Sequence, residues 1–186
     1  MTVEETLREA EQKMRAAVSF AQEELASIRT GRANPKLLDR LMVDYYGTHV
    51  PLNQLASFSV PEPRLLVIQP FDRAAVAAME KAILTSDLSL TPSNDGNVIR
   101  LAFPTLTEER RRELTKVAHQ RAEEGRVAVR NVRRHAKETL ERLEREHSIS
   151  EDDLRRAESK LQRLTDQHVA EVDQILGHKE NELMEV

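Results

Sequence analysis

The chain has 186 residues with a formal net charge of −4; 39% of them are apolar, 32% are charged and only 3% are aromatic. The apolar content is too high for a disordered chain, and the absence of cysteine excludes disulfides, thiolate metal sites and a cysteine nucleophile. No apolar run approaches the ~20 residues of a membrane-spanning helix, and the acidic N-terminus is unlike a signal peptide.

The prolines are confined to the middle of the chain. All seven, with five of the six aromatic residues, lie between positions 35 and 104. Because proline in a helix interior costs about 3 kcal/mol, both ends are predicted to be helical and the middle to be different. We predict a discontinuous helical domain formed by residues 1–30 plus 106–186, with an inserted domain at residues 31–105.

The first predicted helix covers approximately residues 2–29. Thr2 and Glu5 have the spacing of a capping box, and the helix is expected to end near Gly31, ahead of Pro35. Its apolar residues follow a heptad-like stripe, which is made up of Leu7, Met14, Val18, Ala21, Leu25 and Ile28.

Two further helices are predicted at residues 107–146, with Thr107 as the N-cap, and from Ser150 onward. Apolar residues recur along both at intervals of three or four, although Gly125 is expected to cost about 1 kcal/mol relative to alanine. The intervening link, residues 147–149, is short, so the two helices should be antiparallel neighbours. The three stripes together predict an elongated antiparallel three-helix bundle.

The insert has the pattern of a small β/α/β domain. Strands are predicted near residues 41–46, 57–60, 65–68 and 98–103, the third as a continuous buried run, with turns at Gly47 and at residues 94–96. Asp72 should cap a helix that places Val76, Met79 and Ile83 on one face. The predicted fold class is therefore α+β.

The sequence offers no motif for catalysis. The five glycines are scattered, so there is no phosphate-binding loop, and no serine has a nucleophile-elbow context. His168 falls on the apolar stripe of the last helix and is expected to be packed, while the acidic pairs Asp152–Asp153 and Asp166/Asp173 are expected to face solvent. We predict a protein that is not an enzyme and has no cofactor or metal.

Charge is distributed unevenly along the chain. Residues 106–149 carry 12 basic and 9 acidic residues, whereas residues 150–186 carry 5 basic and 10 acidic ones. Within the second predicted helix lies a basic stripe flanking the apolar one, namely Arg126, Arg130, Arg133, Arg134 and Lys137. These side chains either pair with acids on neighbouring helices or contact phosphates, and the two interpretations are about equally supported. An RNA partner would be bound through its backbone, because aromatic stacking platforms are missing.

Eight segments in series resemble bacterial ribosome-recycling factors, and the resemblance spans the whole chain. They are residues 28–35 (Ile-Arg-Thr-Gly-Arg-Ala-Asn-Pro), 44–47 (Asp-Tyr-Tyr-Gly), 51–57 (Pro-Leu-Asn-Gln-Leu-Ala-Ser), 86–88 (Ser-Asp-Leu), 106–111 (Leu-Thr-Glu-Glu-Arg-Arg), 127–134 (Val-Ala-Val-Arg-Asn-Val-Arg-Arg), 149–152 (Ile-Ser-Glu-Asp) and 179–180 (Lys-Glu). One departure is Gly125, which stands where the family commonly has alanine and is expected to soften the helix.

The resemblance implies a cytoplasmic, monomeric translation factor whose two domains form an L joined by a hinge. Such a factor binds the large ribosomal subunit after termination and, with elongation factor G and GTP, splits the ribosome and releases mRNA and tRNA. It implies rRNA contacts by Arg29, Arg32, Arg111, Arg130, Arg133 and Arg134. The two crossings between the predicted domains, Arg29 to Pro35 and Ala102 to Thr107, are the natural hinge, with Gly31, Pro35, Pro104 and Thr105 as its candidate residues.

Two other functions stay open at the level of sequence. A coiled-coil adaptor would bind a protein partner through the acidic face of the last helix and would not sediment with ribosomes in a salt-dependent way. An enzyme whose site is assembled across the fold would leave no motif, and would show turnover without elongation factor G.

Overall fold

A computed structural model describes residues 1–185, which form two compact units. The bundle unit comprises Met1–Arg29 and Glu108–Glu185, and the insert unit comprises Thr30–Thr107. The chain therefore crosses between the units twice, once after Arg29 and once before Glu108. Three long helices form one unit, and antiparallel sheets with one shorter helix form the other, so the predicted α+β class is confirmed.

Three helices pack together in the bundle unit: α1 (Val3–Ala26), α3 (Glu108–Arg145) and α4 (Glu151–Met184). Cross-helix contacts run in opposite directions along α3 and α4, because Arg126 meets Asp173 while Lys137 meets Glu158. The predicted antiparallel pairing is therefore confirmed. The capping boxes that begin α1 and α4 are present at Thr2 and Ser150, and α3 begins directly after Thr107.

The first helix differs from its prediction in two ways. It ends at Ala26 with Ser27 as its C-cap, several residues before Gly31. Its buried stripe includes Thr6 and Ala10, while Leu7 is only half-buried. The other five residues of the predicted stripe, Met14, Val18, Ala21, Leu25 and Ile28, are buried. Only Leu7 departs from it, because a straight helix repeats every 3.6 residues; the Thr6 hydroxyl is satisfied by donating to the Thr2 carbonyl oxygen at 2.9 Å.

The insert unit contains six strands in two sheets. β1 (Met42–Tyr45) and β2 (Thr48–Pro51) form a hairpin, and β3 (Ala56–Glu62), β4 (Leu65–Pro70), β5 (Pro92–Asn94) and β6 (Ile99–Ala102) form an antiparallel sheet in the order β3-β4-β6-β5. The predicted turn at Gly47 is confirmed: Tyr46 and Gly47 both have positive φ, at 50° and 79°. That backbone matches the twist of a tight hairpin.

One helix covers the core of the insert unit. Asp72 accepts a hydrogen bond from the backbone N–H of Ala74 at 2.9 Å and caps a 3₁₀ turn that continues into α2 (Val76–Thr85). The three predicted core residues of this helix, Val76, Met79 and Ile83, are buried. The predicted helix and its apolar face are therefore confirmed.

One prediction about the strands was wrong, and two strands were not predicted. β4 alternates, with Leu66 and Ile68 buried, Leu65 and Val67 half-buried and Gln69 exposed, because an antiparallel sheet has one covered face. β2 was missed because none of its four residues is fully buried, so it lacks a polarity pattern. β5 was missed because it has only three residues and begins with Pro92, which its edge position tolerates.

Candidate nucleic-acid interface

A groove of about 800 Å³ lies between α3 and α4, and nine of the ten residues that line it are polar or charged. We call it the basic groove. Its residues on α3 are Arg130, Asn131, Arg133, Arg134 and Lys137, and those on α4 are Arg155, Glu158, Ser159, Leu161 and Gln162. Five of these ten side chains are cationic and one is acidic, so the groove is suited to an anionic ligand.

Helix periodicity places the α3 residues at the edge of the bundle core. Val129, Ala136 and Leu140 of α3 are buried against the other helices, and the basic positions lie beside them on the solvent side. On α4, Leu161 is buried and lies at the floor of the groove as its one aliphatic lining residue. The backbone positions of both walls are therefore fixed by core packing.

The basic stripe predicted from the sequence does not act as a single surface. Arg126 is only 18% exposed, and it donates to Asp173 at 2.6 Å and to Glu123 at 2.7 Å. Burial disfavours its charged form, but the hydrogen bonds to Glu123 and Asp173 outweigh that effect and raise the pKa of Arg126. Arg126 therefore tethers α3 to α4 and does not line the groove.

Three other basic residues of the stripe are more exposed than Arg126 and form weaker contacts within the protein. Arg130 contacts Glu123 at 3.2 Å and is 47% exposed. The hydrogen bond from Arg126, joined by the one from Arg130, lowers the pKa of the Glu123 carboxyl. Lys137 lies 3.6 Å from Glu158 and 3.7 Å from Glu141, and Arg134 is exposed with no ion pair to any residue in the described part of the chain. Exposed pairs of this kind contribute only about 0–1 kcal/mol and exchange readily for a phosphate.

Arg133 has an unusual partner. Its Nη1 donates to the side-chain oxygen of Gln162 at 3.0 Å, and the amide nitrogen of Gln162 donates to Asp166 at 2.8 Å. The second bond fixes which end of the amide faces the guanidinium. Arg133 is thus held in position by a neutral group, and its charge is retained.

The other three predicted RNA-binding arginines do not line the basic groove. Arg29 is exposed at the end of the bundle unit, and Arg32 is exposed in the insert unit. Arg111 is half-buried in the first turn of α3. The structure therefore brings together Arg130, Arg133 and Arg134 of the predicted set.

The predicted hinge residues lie in the two crossing segments of the insert unit. Gly31 has φ of 77°, and a Cβ at this position would lie 3.4 Å from Leu106 Cγ and 3.5 Å from the carbonyl oxygen of Pro104. Pro35 opens a 3₁₀ helix, Pro35–Leu38. The two crossing segments are therefore neighbours at Gly31, whereas Pro35 is part of regular structure.

The turn between β3 and β4 holds both crossing segments. Ala33 donates its N–H to the Pro63 carbonyl at 2.8 Å, and Phe103 donates to the Arg64 carbonyl at 2.8 Å. The Arg64 guanidinium also donates to the Thr105 hydroxyl. The backbone at Ala33 and Phe103 is thereby fixed to the sheet.

Residues outside the groove show structural roles. His168 is 1% exposed, and its Nδ1 donates to the Leu164 carbonyl at 2.7 Å, so the predicted packed role is confirmed. Asp152, Asp153, Asp166 and Asp173 are exposed, as predicted. Within residues 1–185, no cluster of three or more His, Cys, Asp or Glu residues could hold a metal. No helix in that range is long and apolar enough to cross a membrane.

Sequence reasoning missed the α4 wall of the groove. The net charge of residues 150–186 is negative, and this concealed Arg155 and Gln162 among the acidic residues. A signal was nevertheless present in the hairpin itself. In both pairs, Arg133–Gln162 and Lys137–Glu158, the two residues are equally far along the chain from the loop at 147–148. Counting the same number of residues beyond this loop therefore gives the α4 residue that faces each basic residue of α3.

Comparison with known proteins identifies close relatives. The family model described as "Ribosome recycling factor" matches residues 21–184. The chain is 55% identical over 184 residues to the ribosome-recycling factor of Acidothermus cellulolyticus, covering 99% of this chain and 100% of the relative. It is 57% identical over 182 residues to that of Geobacillus kaustophilus, covering 98% of each.

Solved structures agree with the sequence relatives. A solution structure of a ribosome recycling factor matches with a TM-score of 0.80 and 47% identity, over 100% of this chain and 99% of that one. A second match has a TM-score of 0.69 and 48% identity, over 98% and 99%. It is described as models for the T. thermophilus ribosome recycling factor and E. coli elongation factor G bound to the E. coli post-termination complex.

Proposed function

This chain belongs to the ribosome recycling factor family, and we propose on that premise that it recycles ribosomes after termination. It binds the post-termination ribosome and, with elongation factor G and GTP, splits it into subunits so that mRNA and tRNA are released. The chain itself supplies no catalysis, and the energy comes from the GTPase. It acts as a monomer in the cytoplasm, where its partner is found.

The proposed mechanism rests on the basic groove. Arg130, Arg133 and Arg134 anchor the bundle unit to rRNA of the large subunit, with Arg29, Arg32 and Arg111 as further contacts. Guanidinium groups suit this role because they bind phosphate oxygens in a bidentate geometry. The groove lining contains no aromatic side chain, so recognition is of backbone shape and not of base sequence.

The insert unit transmits the action of elongation factor G. The two crossing segments, at Gly31 and at Pro104–Thr105, form the hinge at which this unit moves. Hydrogen bonds from the β3–β4 turn hold Ala33 and Phe103, so bending is confined to the residues between these positions and the bundle helices. Pro35 belongs to the stiff side of the hinge, since it begins a 3₁₀ helix.

Sedimentation of the protein with large ribosomal subunits tests the anchor. If these six arginines contact phosphates, log K against log salt has a slope of about −4.2 to −5.4, from 0.7–0.9 per contact. Arg133→Ala should weaken binding and leave the melting temperature nearly unchanged. Arg142→Ala is the matched control, because Arg142 is exposed on the same helix outside the groove. Full binding by Arg133→Ala would refute the anchor, and salt-independent association would favour a protein-binding adaptor.

A further inference from the structure

The α4 wall of the basic groove contains two residues, Gln162 and Arg155, whose role is separate from that of the α3 arginines. Gln162 is the recorded partner of Arg133, and it belongs to the helix with the acidic balance. A glutamate at this position would form a salt bridge, as Asp173 does with Arg126. Arg126 and Arg133 therefore have cross-helix partners of different charge: the anionic Asp173 neutralises Arg126, whereas the neutral Gln162 leaves the charge of Arg133 in place.

Gln162 is itself held in a defined orientation. Its amide nitrogen donates to Asp166, one turn further along α4, and this leaves the amide oxygen to accept from Arg133. The guanidinium of Arg133 loses side-chain freedom before any ligand arrives, which lowers the entropic cost of binding. Its other N–H groups remain available to a ligand in the groove.

Arg155 supplies a basic side chain from the same wall. Its side chain is 69% exposed. It forms an ion pair with Glu151, one turn earlier on the same helix, whose side chain is 70% exposed. Such a pair contributes little stability and can open when a phosphate is offered. Arg155 and Gln162 both line the groove, two turns apart on α4.

We propose that α4 supplies half of the RNA-binding surface, with Gln162 as a positioning residue that holds Arg133 without neutralising it and Arg155 as a second phosphate contact. This proposal rests on the proposed function, because the ligand is rRNA. A peptide partner is disfavoured, since Leu161 is the one aliphatic hydrophobic residue of the lining and it is buried.

The test measures affinity for purified large ribosomal subunits across a range of salt concentrations. Gln162→Glu should convert the Arg133 contact into a salt bridge, and Arg155→Ala should remove a contact. Each change is expected to make the salt slope shallower by 0.7–0.9, which is about a five- to eightfold loss of affinity at 0.1 M salt. Melting curves check that each variant is folded.

Two exposed residues of α4 outside the groove serve as controls. Gln167→Glu introduces the same charge as Gln162→Glu, and Arg156→Ala removes the same charge as Arg155→Ala. Both controls should bind within experimental error of the parent. Equal losses in the controls and the groove variants would overturn the proposal, because the effect would then be one of overall charge.

A double-mutant cycle separates positioning from simple charge. If Gln162 acts through Arg133, Gln162→Glu should have no further effect in an Arg133→Ala background. The same loss in both backgrounds would refute the positioning role. If Arg133→Ala weakens binding but the α4 variants do not, only this inference fails; if Arg133→Ala binds fully, the proposed anchor itself fails.

Discussion

Gly125 of α3 lies so close to Ala21 of α1 that a Cβ added to the glycine would be 2.8 Å from the Ala21 Cβ. Real Cβ atoms do not approach this closely, so the two helices could not keep their present spacing with a larger residue. Val172 of α4 lies on the other side, at 3.6 Å. Gly125, which was expected to soften α3, is thus also a packing residue between α3 and α1.

The first prediction concerns Gly125→Ala. Helix propensity alone would stabilise the bundle by about 1 kcal/mol, but overpacking a core costs about 1–3 kcal/mol. Because the opposing Cβ of Ala21 cannot rotate away, we expect a net loss of about 1 kcal/mol in the free energy of unfolding. Urea unfolding followed by circular dichroism at equilibrium measures it.

A matched control is available in α4. A Cβ at Gly177 has no neighbour within 4 Å, so Gly177→Ala should gain the helix propensity without the clash. We expect it to stabilise the protein by up to about 1 kcal/mol. Similar gains for both substitutions would show that α1 and α3 can separate at no cost.

The second prediction contrasts Arg126 with Arg134. Arg126→Ala breaks the hydrogen bonds to Asp173 and Glu123, so it should lower the free energy of unfolding by about 1 kcal/mol and leave ribosome affinity unchanged. Arg134→Ala should do the reverse, since this exposed side chain lines the groove without an ion pair in the described residues. Chemical denaturation and sedimentation, applied to both variants, check the pattern. Loss of binding by folded Arg126→Ala would contradict it.

The helices and their caps could be predicted because their signals are local. A capping box joins residues three apart, and apolar periodicity is visible within a few turns. The difference between Arg126 and Arg133 could not be predicted in this way. Their partners, Asp173 and Gln162, are 47 and 29 residues away and become visible only when α3 and α4 are paired.

The strands were harder to predict than the helices. β2 and β5 gain their structure from the neighbours they pair with, not from a pattern of their own. Gly125 illustrates the same limit in the bundle: its sequence context indicates only a poor helix former, whereas its packing depends on the distant Ala21. The sequence therefore did not determine which residues of distant segments meet in the fold.

The third prediction concerns pH. Asp95 accepts hydrogen bonds from the backbone N–H groups of Val98 and Asn97 and from Arg100, and these hold the pKa of its carboxyl well below the usual range. A carboxyl whose pKa is lower in the folded state stabilises the fold above its unfolded pKa, about 3.9, and this contribution is lost as pH falls toward the folded pKa.

Asp95→Asn should therefore destabilise the insert unit at pH 7 and make little difference in strong acid. Amide hydrogen exchange in β5 and β6, measured from pH 7 down to about pH 2, reports the local stability of the turn between these strands across the range in which the contribution is lost. Identical pH dependence in the parent and the variant would contradict the assignment of this contribution to Asp95.

The fourth prediction concerns the hinge. Gly31 has φ of 77°, where an alanine is strained by about 1–2 kcal/mol, and its Cβ would touch Leu106 of the second crossing segment. Gly47→Ala is the control, because Gly47 has φ of 79° with no neighbour within 4 Å of the added Cβ. If recycling requires bending at Gly31, Gly31→Ala should bind large subunits normally but split ribosomes more slowly, by about fivefold per kcal/mol added to the barrier.

Light scattering with elongation factor G and GTP measures splitting, and sedimentation measures binding. Equal splitting rates for the two variants would mean that the strain acts on stability alone, and that the chain bends elsewhere.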